Sequence, residues 1–249
     1  MIGAVGLWAA LAKLANPSPA LVVRYVVVGL AYLGVGWLLA ERGFGRLGVL
    51  IALTGALWFV NEIQDARRGV LVGIAVLLAD VYRVTYAHAV LAYPTGRIRP
   101  RAGVWVIGAG YVLTLVGGAA RALTYLPYRW ESCDCPRNAF AVFHNQSTYN
   151  HVNDPYRLVG LILAVALVAL LAIKTRSMGR GAASSVPVWT ALVASVLLLV
   201  AGIVRDQADL SRGALIFWLW VDGVALLAVA LAFALFVRAG FPSMKRPDG

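Results

Sequence analysis

Apolar residues run through this chain in blocks of about one bilayer thickness, separated by short charged seams. The blocks are continuously apolar and do not alternate every second residue. That excludes the strands of an outer-membrane barrel and leaves helices, the backbone that satisfies its own hydrogen bonds in lipid. A spanning helix needs roughly 20 mostly apolar residues. By that measure the chain holds about seven spans, at residues 20–40, 44–61, 69–93, 103–126, 156–173, 187–204 and 213–237. The expected fold is all-α, a polytopic transmembrane helical bundle. It divides into an interfacial N-terminal segment (1–19), helices one to four (20–126), an extracytoplasmic loop (127–155), helices five to seven (156–238) and a tail (239–249).

Local signals mark the boundaries. Pro19, Pro155 and Pro187 stand where a first-turn N–H has no partner, Pro19 and Pro155 directly after the capping residues Ser18 and Asp154, so each predicts a helix start. Pro94 and Gly96 stop the third helix. Residues 1–14 are apolar but short, which reads as a helix lying on the membrane in preference to an eighth span or a signal-peptide remnant; a signal peptide would carry a basic start and a small-residue cleavage site.

Charge sets the orientation. Arg97, Arg99 and Arg101 follow the third helix, Lys174, Arg176 and Arg180 the fifth, and Arg238, Lys245 and Arg246 lie in the tail. The positive-inside rule makes these seams cytoplasmic and the N-terminus external, in a multi-pass protein of the plasma (inner) membrane. Arg67 and Arg68 then fall outside, against the rule. With 61% hydrophobic and 13% charged residues in 249, the net charge of +11 reflects topology and affinity for anionic membrane lipids. Without a soluble basic domain, no nucleic-acid partner is expected.

The longest hydrophilic stretch, 127–154, carries both cysteines, in Cys133-Asp134-Cys135-Pro136, together with His144 and His151. Two thiols and two imidazoles could supply four ligands to Zn²⁺, or soft ligands to copper. The spacing matches no known finger, and an oxidising exterior makes a disulfide, within the pair or to another subunit, or another structural role the favoured reading over a metal site, with a redox role or no special role the remaining alternative. The sequon Asn145-Gln146-Ser147 matters only in a eukaryotic secretory pathway.

Ionisable side chains inside the bilayer are costly and are functional candidates by default. Asp80 and Arg83 lie one turn apart on the third helix, and Asp222 falls at similar depth on the seventh. One guanidinium could neutralise both carboxylates, with Tyr82, Tyr86 and His88 close by on the same helix. Such a cluster serves either as polar glue between helices or as a latch whose re-pairing carries a signal. A second polar set, Arg24, Asn61, Glu62, Arg121, Arg157 and Arg205, lies near the outer helix ends, where long side chains snorkel to head groups or line an anion-binding vestibule. Trp37, Trp58, Trp105 and Trp189 fit an aromatic belt. Gly69 and Gly73 form a small-residue ridge suited to close packing, and Gly108, Gly110, Gly117 and Gly118 could loosen the fourth helix.

The lysines Lys13, Lys174 and Lys245 all sit at seams or ends, which argues against a retinal Schiff base. No nucleophile elbow, zinc-protease helix or phosphate-cradling glycine loop is visible. Transport would predict inverted repeats with paired broken helices, and the halves show no obvious match.

The segment His88-Ala89-Val90-Leu91-Ala92-Tyr93-Pro94-Thr95-Gly96-Arg97-Ile98-Arg99 resembles the end-of-helix signature in the multi-pass membrane input region of actinobacterial sensor histidine kinases. Cys133-Asp134-Cys135-Pro136-Arg137-Asn138 is similar to the cysteine motif in their outer loop, and order and separation also agree. The resemblance implies a sensor module of a two-component system, working as a homodimer and relaying a stimulus to a cytoplasmic kinase core with a response regulator downstream. The chain ends at Gly249 without a phosphoacceptor-histidine helix or ATP-binding motif, so it is expected to have no kinase activity of its own. The competing readings are a small-solute or ion transporter or channel, and a structural subunit of a larger complex.

Overall fold

A computed structural model describes residues 19–60, 69–99, 101–126, 137–143, 145–178, 185–207 and 211–239. Every regular element among them is helical. In chain order these are α1 (Pro19–Glu41), α2 (Gly45–Trp58), α3 (Gly69–Leu78), α4 (Val81–Ala92), α5 (Arg101–Val112), a π-helical turn (Leu113–Gly117), α6 (Gly118–Thr124), α7 (Gln146–Ser177), α8 (Val186–Gln207) and α9 (Arg212–Arg238). Counting Gly69–Ala92 and Arg101–Thr124 as single spans, six helices are long and apolar enough to cross a bilayer, and α2 is a shorter apolar helix. The chain folds as the bundle of a multi-pass membrane protein. The expected interfacial helix at 1–14 and the tail beyond Ala239 lie outside the described residues.

α4 is the central helix. Nine of its twelve residues are buried, which leaves no face for lipid alone. Around it α2 packs on α1, α1 on α9, α9 on α8, α8 on α7 and α7 on α5. The α1–α2 crossing is close because glycines face it: a Cβ on Gly55 would stand 2.7 Å from the Gly29 carbonyl oxygen, and one on Gly48 2.7 Å from the Ala40 nitrogen. Hydroxyls join the other layers. Tyr32 donates to the Leu226 carbonyl (3.1 Å), Thr54 to Thr85 Oγ1 (3.1 Å), and Tyr86 shares a hydrogen bond with Ser195 (3.3 Å). At the Pro94 end, Lys174 of α7 donates to the Val90 (3.2 Å), Leu91 (2.7 Å) and Tyr93 carbonyls, satisfying acceptors that the end of α4 leaves open. The Tyr93 ring meets Phe233 and Phe236 edge-on.

Four boundaries differ from the hydropathy reading. The third span is not one helix: it breaks at Ala79 and Asp80, where Asp80 takes φ −100° and ψ 0°. The fourth relaxes into the π-turn just before Gly118, where Thr114 Oγ1 bonds the Gly110 (3.0 Å) and Tyr111 (3.3 Å) carbonyls. The fifth begins at Gln146 rather than near Pro155, which lies inside the helix; Asn145 Oδ1 caps it by accepting from Ser147 N at 2.8 Å. The second is helical only from Gly45 to Trp58 and closes in a 3₁₀ turn at Phe59 and Val60.

The break at Asp80 separates two packing zones. α4 belongs to the large core shared by α1, α2, α5, α7, α8 and α9. The α3 residues Val72, Val76 and Leu77 pack instead with Ala122, Tyr125 and Phe140, and Ala75 packs with Val60 and Leu57. α3 and the end of α6 thus form a cap, held with residues 137–143, over one end of the bundle.

Candidate functional site

Residues 137–143 are docked onto the cap through Asn138, a polar residue only 4% exposed. Its Nδ2 donates to the carbonyls of Ala122 (2.6 Å) and Tyr125 (3.0 Å), at the unsatisfied end of α6, and its Oδ1 accepts from Phe140 N (3.0 Å). Ala139 N bonds the Gly69 carbonyl (3.1 Å), and Val142 N the Leu123 carbonyl (2.9 Å). The Gly69–Gly73 ridge therefore receives this loop segment rather than another helix: a Cβ on Gly73 would stand 2.7 Å from Phe140 Cγ and 2.8 Å from Asn138 Oδ1.

Below the cap, at the break, Asp80 gathers three partners. Its Oδ2 accepts from Arg121 Nη1 (2.9 Å) and the Tyr156 hydroxyl (2.8 Å), and its Oδ1 faces Arg83 Nη1 at 3.3 Å. Arg121 also lies over the Tyr156 ring, 4.7 Å from its centroid. Glycines make room for this meeting: added carbons on Gly117 and Gly118 would run into the Tyr156 ring and the Leu77 carbonyl.

A second centre lies across the bundle. Arg205, in the last turn of α8, donates to Asp222 Oδ2 on α9, while Asp222 Oδ1 is buried with no hydrogen-bond partner among the described residues. Arg24 of α1 runs along Gly223, donates to the Leu219 carbonyl and stacks over Tyr25, 4.2 Å from its centroid. Aromatic residues connect the two centres. Trp58 donates to the Tyr25 carbonyl (3.1 Å) and meets the Tyr82 ring edge-on at 5.0 Å, and Arg83 Nε donates to the Tyr82 hydroxyl (3.2 Å). Arg83 and Arg24 both lie within electrostatic range of Asp222. A continuous polar belt thus crosses the bundle from Arg205 and Asp222, through Arg24, Trp58, Tyr82 and Arg83, to Asp80, Arg121 and Tyr156.

The Asp80–Arg83 pair follows the sequence reading, but the shared guanidinium does not: Asp222 takes its ion pair from Arg205 on the neighbouring helix. His88 stands apart, its Nδ1 3.3 Å from the Tyr111 hydroxyl, toward the Pro94 end. Of the outer set, Arg24, Arg121 and Arg205 do not snorkel. They turn inward because carboxylate, carbonyl and ring acceptors are in reach. Arg157 is exposed on α7, and Asn61 and Glu62 lie outside the described residues. Trp37 and Trp105 are exposed as belt residues should be, whereas Trp58 is buried in the site. Cys133, Cys135 and His144, three of the four metal or disulfide candidates, also lie outside the described residues; His151 is exposed, its Nδ1–H donating to the Ser147 carbonyl at 2.7 Å, which leaves Nε2 as the ring nitrogen able to take a ligand. Among the described residues no cluster of three or more His, Cys, Asp or Glu forms a metal site.

Sequence reasoning missed Tyr156 and Asn138 as site residues. Nothing marks Tyr156 in a linear reading, but an asparagine directly after Cys-Pro-Arg, in a loop that must close over helix ends, is a recognisable capping candidate. No protein-family model, no curated protein and no solved structure matches this chain.

Proposed function

We propose that this protein is a membrane-embedded signal-input module: it receives an extracytoplasmic or membrane stimulus and relays it to a cytoplasmic kinase core or partner, without catalysing a reaction itself. The observation that carries the reading is the joint at Asp80. The loop segment and α3 pack as one unit, separate from the core, and the joint between that unit and the central helix α4 holds the ionic centre. A change in the loop, through a disulfide, metal or ligand at Cys133 and Cys135, shifts α3. Arg83 then exchanges between Asp80 and the open oxygen of Asp222, and α9 carries the repacking toward Arg238. The two sequence motifs that resemble sensor-kinase input regions support the same reading, with a homodimer in the plasma membrane as the working form.

The test is a fusion of the bundle to a reporter kinase. Replacing Cys133 and Cys135 by serine, or Asn138 by alanine, is expected to abolish the stimulus response while the protein still inserts and folds. An unchanged response in both variants removes the loop from the mechanism.

A second reading rests on the two interrupted spans, the break at Asp80 and the π-turn at 113–117, which face each other beside a charged centre as discontinuous helices do in transporters. Solute uptake in proteoliposomes that disappears in Asp222→Asn is the result that would favour it.

A further inference from the structure

Between the end of α7 and the start of α8 lies a cleft of about 390 Å³, lined by Ala172, Thr175, Arg176, Trp189 and Leu192. The two helices pack side by side, and the cleft joins the end of one to the start of the other, so they run in opposite directions. Arg176 and Trp189 therefore stand at the helix ends, with Ala172 and Leu192 about one turn, roughly 5 Å, further in. The apolar run of α7 stops at the exposed Ile173 and gives way to Lys174, Thr175, Arg176 and Ser177. The mouth of the cleft thus lies at the edge of the hydrocarbon layer, and its inner part lies within it. Lys174 is turned toward α4, its ammonium on the Leu91 and Tyr93 carbonyls, and Arg176 comes roughly 200° further round the helix, away from them. The Thr175 hydroxyl is taken up by the Ala172 carbonyl (2.9 Å). Arg176 is exposed, and among the described residues neither it nor Trp189 makes a side-chain hydrogen bond or ion pair.

We propose that this cleft binds one anionic phospholipid, with its phosphodiester on Arg176 and the start of an acyl chain between Ala172 and Leu192. Polarity along the cleft runs in the order in which such a lipid presents it. At the mouth, the guanidinium fork matches two phosphate oxygens at once and loses less hydration than an ammonium. At the glycerol level, the indole of Trp189 offers an apolar face and an N–H open to an ester carbonyl. Further in, Ala172 and Leu192 offer only methyl and methylene surface. A free phosphate would use the mouth and leave the inner part unfilled, and a zwitterionic lipid would bring its own cation up to Arg176. Basic pockets between spanning helices are suited to acidic head groups for the same reason. The cleft is at the Pro94 end, across α4 from the Asp80 joint, so the proposal holds whether the protein senses or transports.

Delipidated full-length protein in neutral detergent is mixed with phosphatidylglycerol, or with phosphatidylcholine of the same acyl chains, and bound lipid is counted by native mass spectrometry. The expected result is one tightly held phosphatidylglycerol per chain, saturable and preferred over phosphatidylcholine. Arg176→Gln should weaken it about tenfold or more, the weight of one hydrogen bond to a charged group. Ala172→Phe, which fills the inner part without changing charge, should weaken it as well. Arg101→Gln, which removes an exposed arginine at the start of α5, outside the cleft, should leave it unchanged. Arg176→Gln alters an exposed side chain, so its fold is expected to persist, as circular dichroism will show. Equal retention of the two lipids, no saturable retention, or an equal loss in Arg101→Gln and Arg176→Gln would overturn the site. Retention that survives Ala172→Phe, or thermal stabilisation by sodium phosphate equal to that by the lipid, would overturn a phospholipid as its occupant.

Discussion

Replacing Asn138 by alanine should undock the loop segment from the cap without unfolding the bundle. The substitution removes three hydrogen bonds, two donated to the Ala122 and Tyr125 carbonyls and one accepted from Phe140 N. At about 1 kcal/mol net for each, the local opening of residues 137–143 becomes easier by roughly 3 kcal/mol, or about a hundredfold in its equilibrium at 1.4 kcal/mol per tenfold. The informative probes are the amides of Ala139 and Val142, whose own acceptors, the carbonyls of Gly69 and Leu123, are untouched by the change. Hydrogen exchange of the protein in nanodiscs should show their protection falling by about that factor. Amides of α9 around the fully buried Val229 and Phe233 should keep theirs. A fall of less than about threefold at Ala139 and Val142, or an equal fall in α9, would refute the view that Asn138 fastens a separable cap.

Breaking the Asp80 centre by Asp80→Asn leaves Arg121 as a mostly buried unpaired charge and should cost roughly 3 kcal/mol or more in thermal unfolding; in a double-mutant cycle with Arg121→Gln the coupling should exceed about 1 kcal/mol. Gly118→Ala should destabilise by roughly 1–3 kcal/mol, because its methyl meets the Leu77 backbone, whereas Gly108→Ala, with open space around it, should be neutral or slightly stabilising. Equal effects from these two glycines would contradict the close approach at the joint. Lys174→Met should fray the end of α4, seen as faster proteolysis near Pro94 and a loss of roughly 2 kcal/mol, since the lysine tethers three carbonyls there.

Hydropathy finds what is greasy, and it located the six crossing helices well because each carries a long apolar run. It cannot see a helix that continues into polar sequence. Residues 146–155 of α7 looked like loop, and Pro155 looked like a start, although the Asn145 cap ahead of them was readable as a capping residue. The break at Asp80 has no proline or glycine to announce it. It arises from tertiary contacts, with Arg121 and Tyr156 drawing the carboxylate between helices that are far apart in sequence. The Asp80–Arg83 pair was legible because i,i+3 spacing suffices to define it. The Arg205–Asp222 pair was not, because depth within a helix cannot be counted when the neighbouring helix ends at a different height.

Helix length leaves one more mark on the protein's surroundings. α2 has 14 residues, about 21 Å of helix, against the roughly 30 Å of a hydrocarbon layer. It is not shielded, since Val49 and Leu53 are exposed. On another flank α7 runs 32 residues, about 48 Å. The described length of α2 thus covers about two-thirds of a hydrocarbon layer on its flank, and how well that flank suits a given bilayer should vary with acyl-chain length.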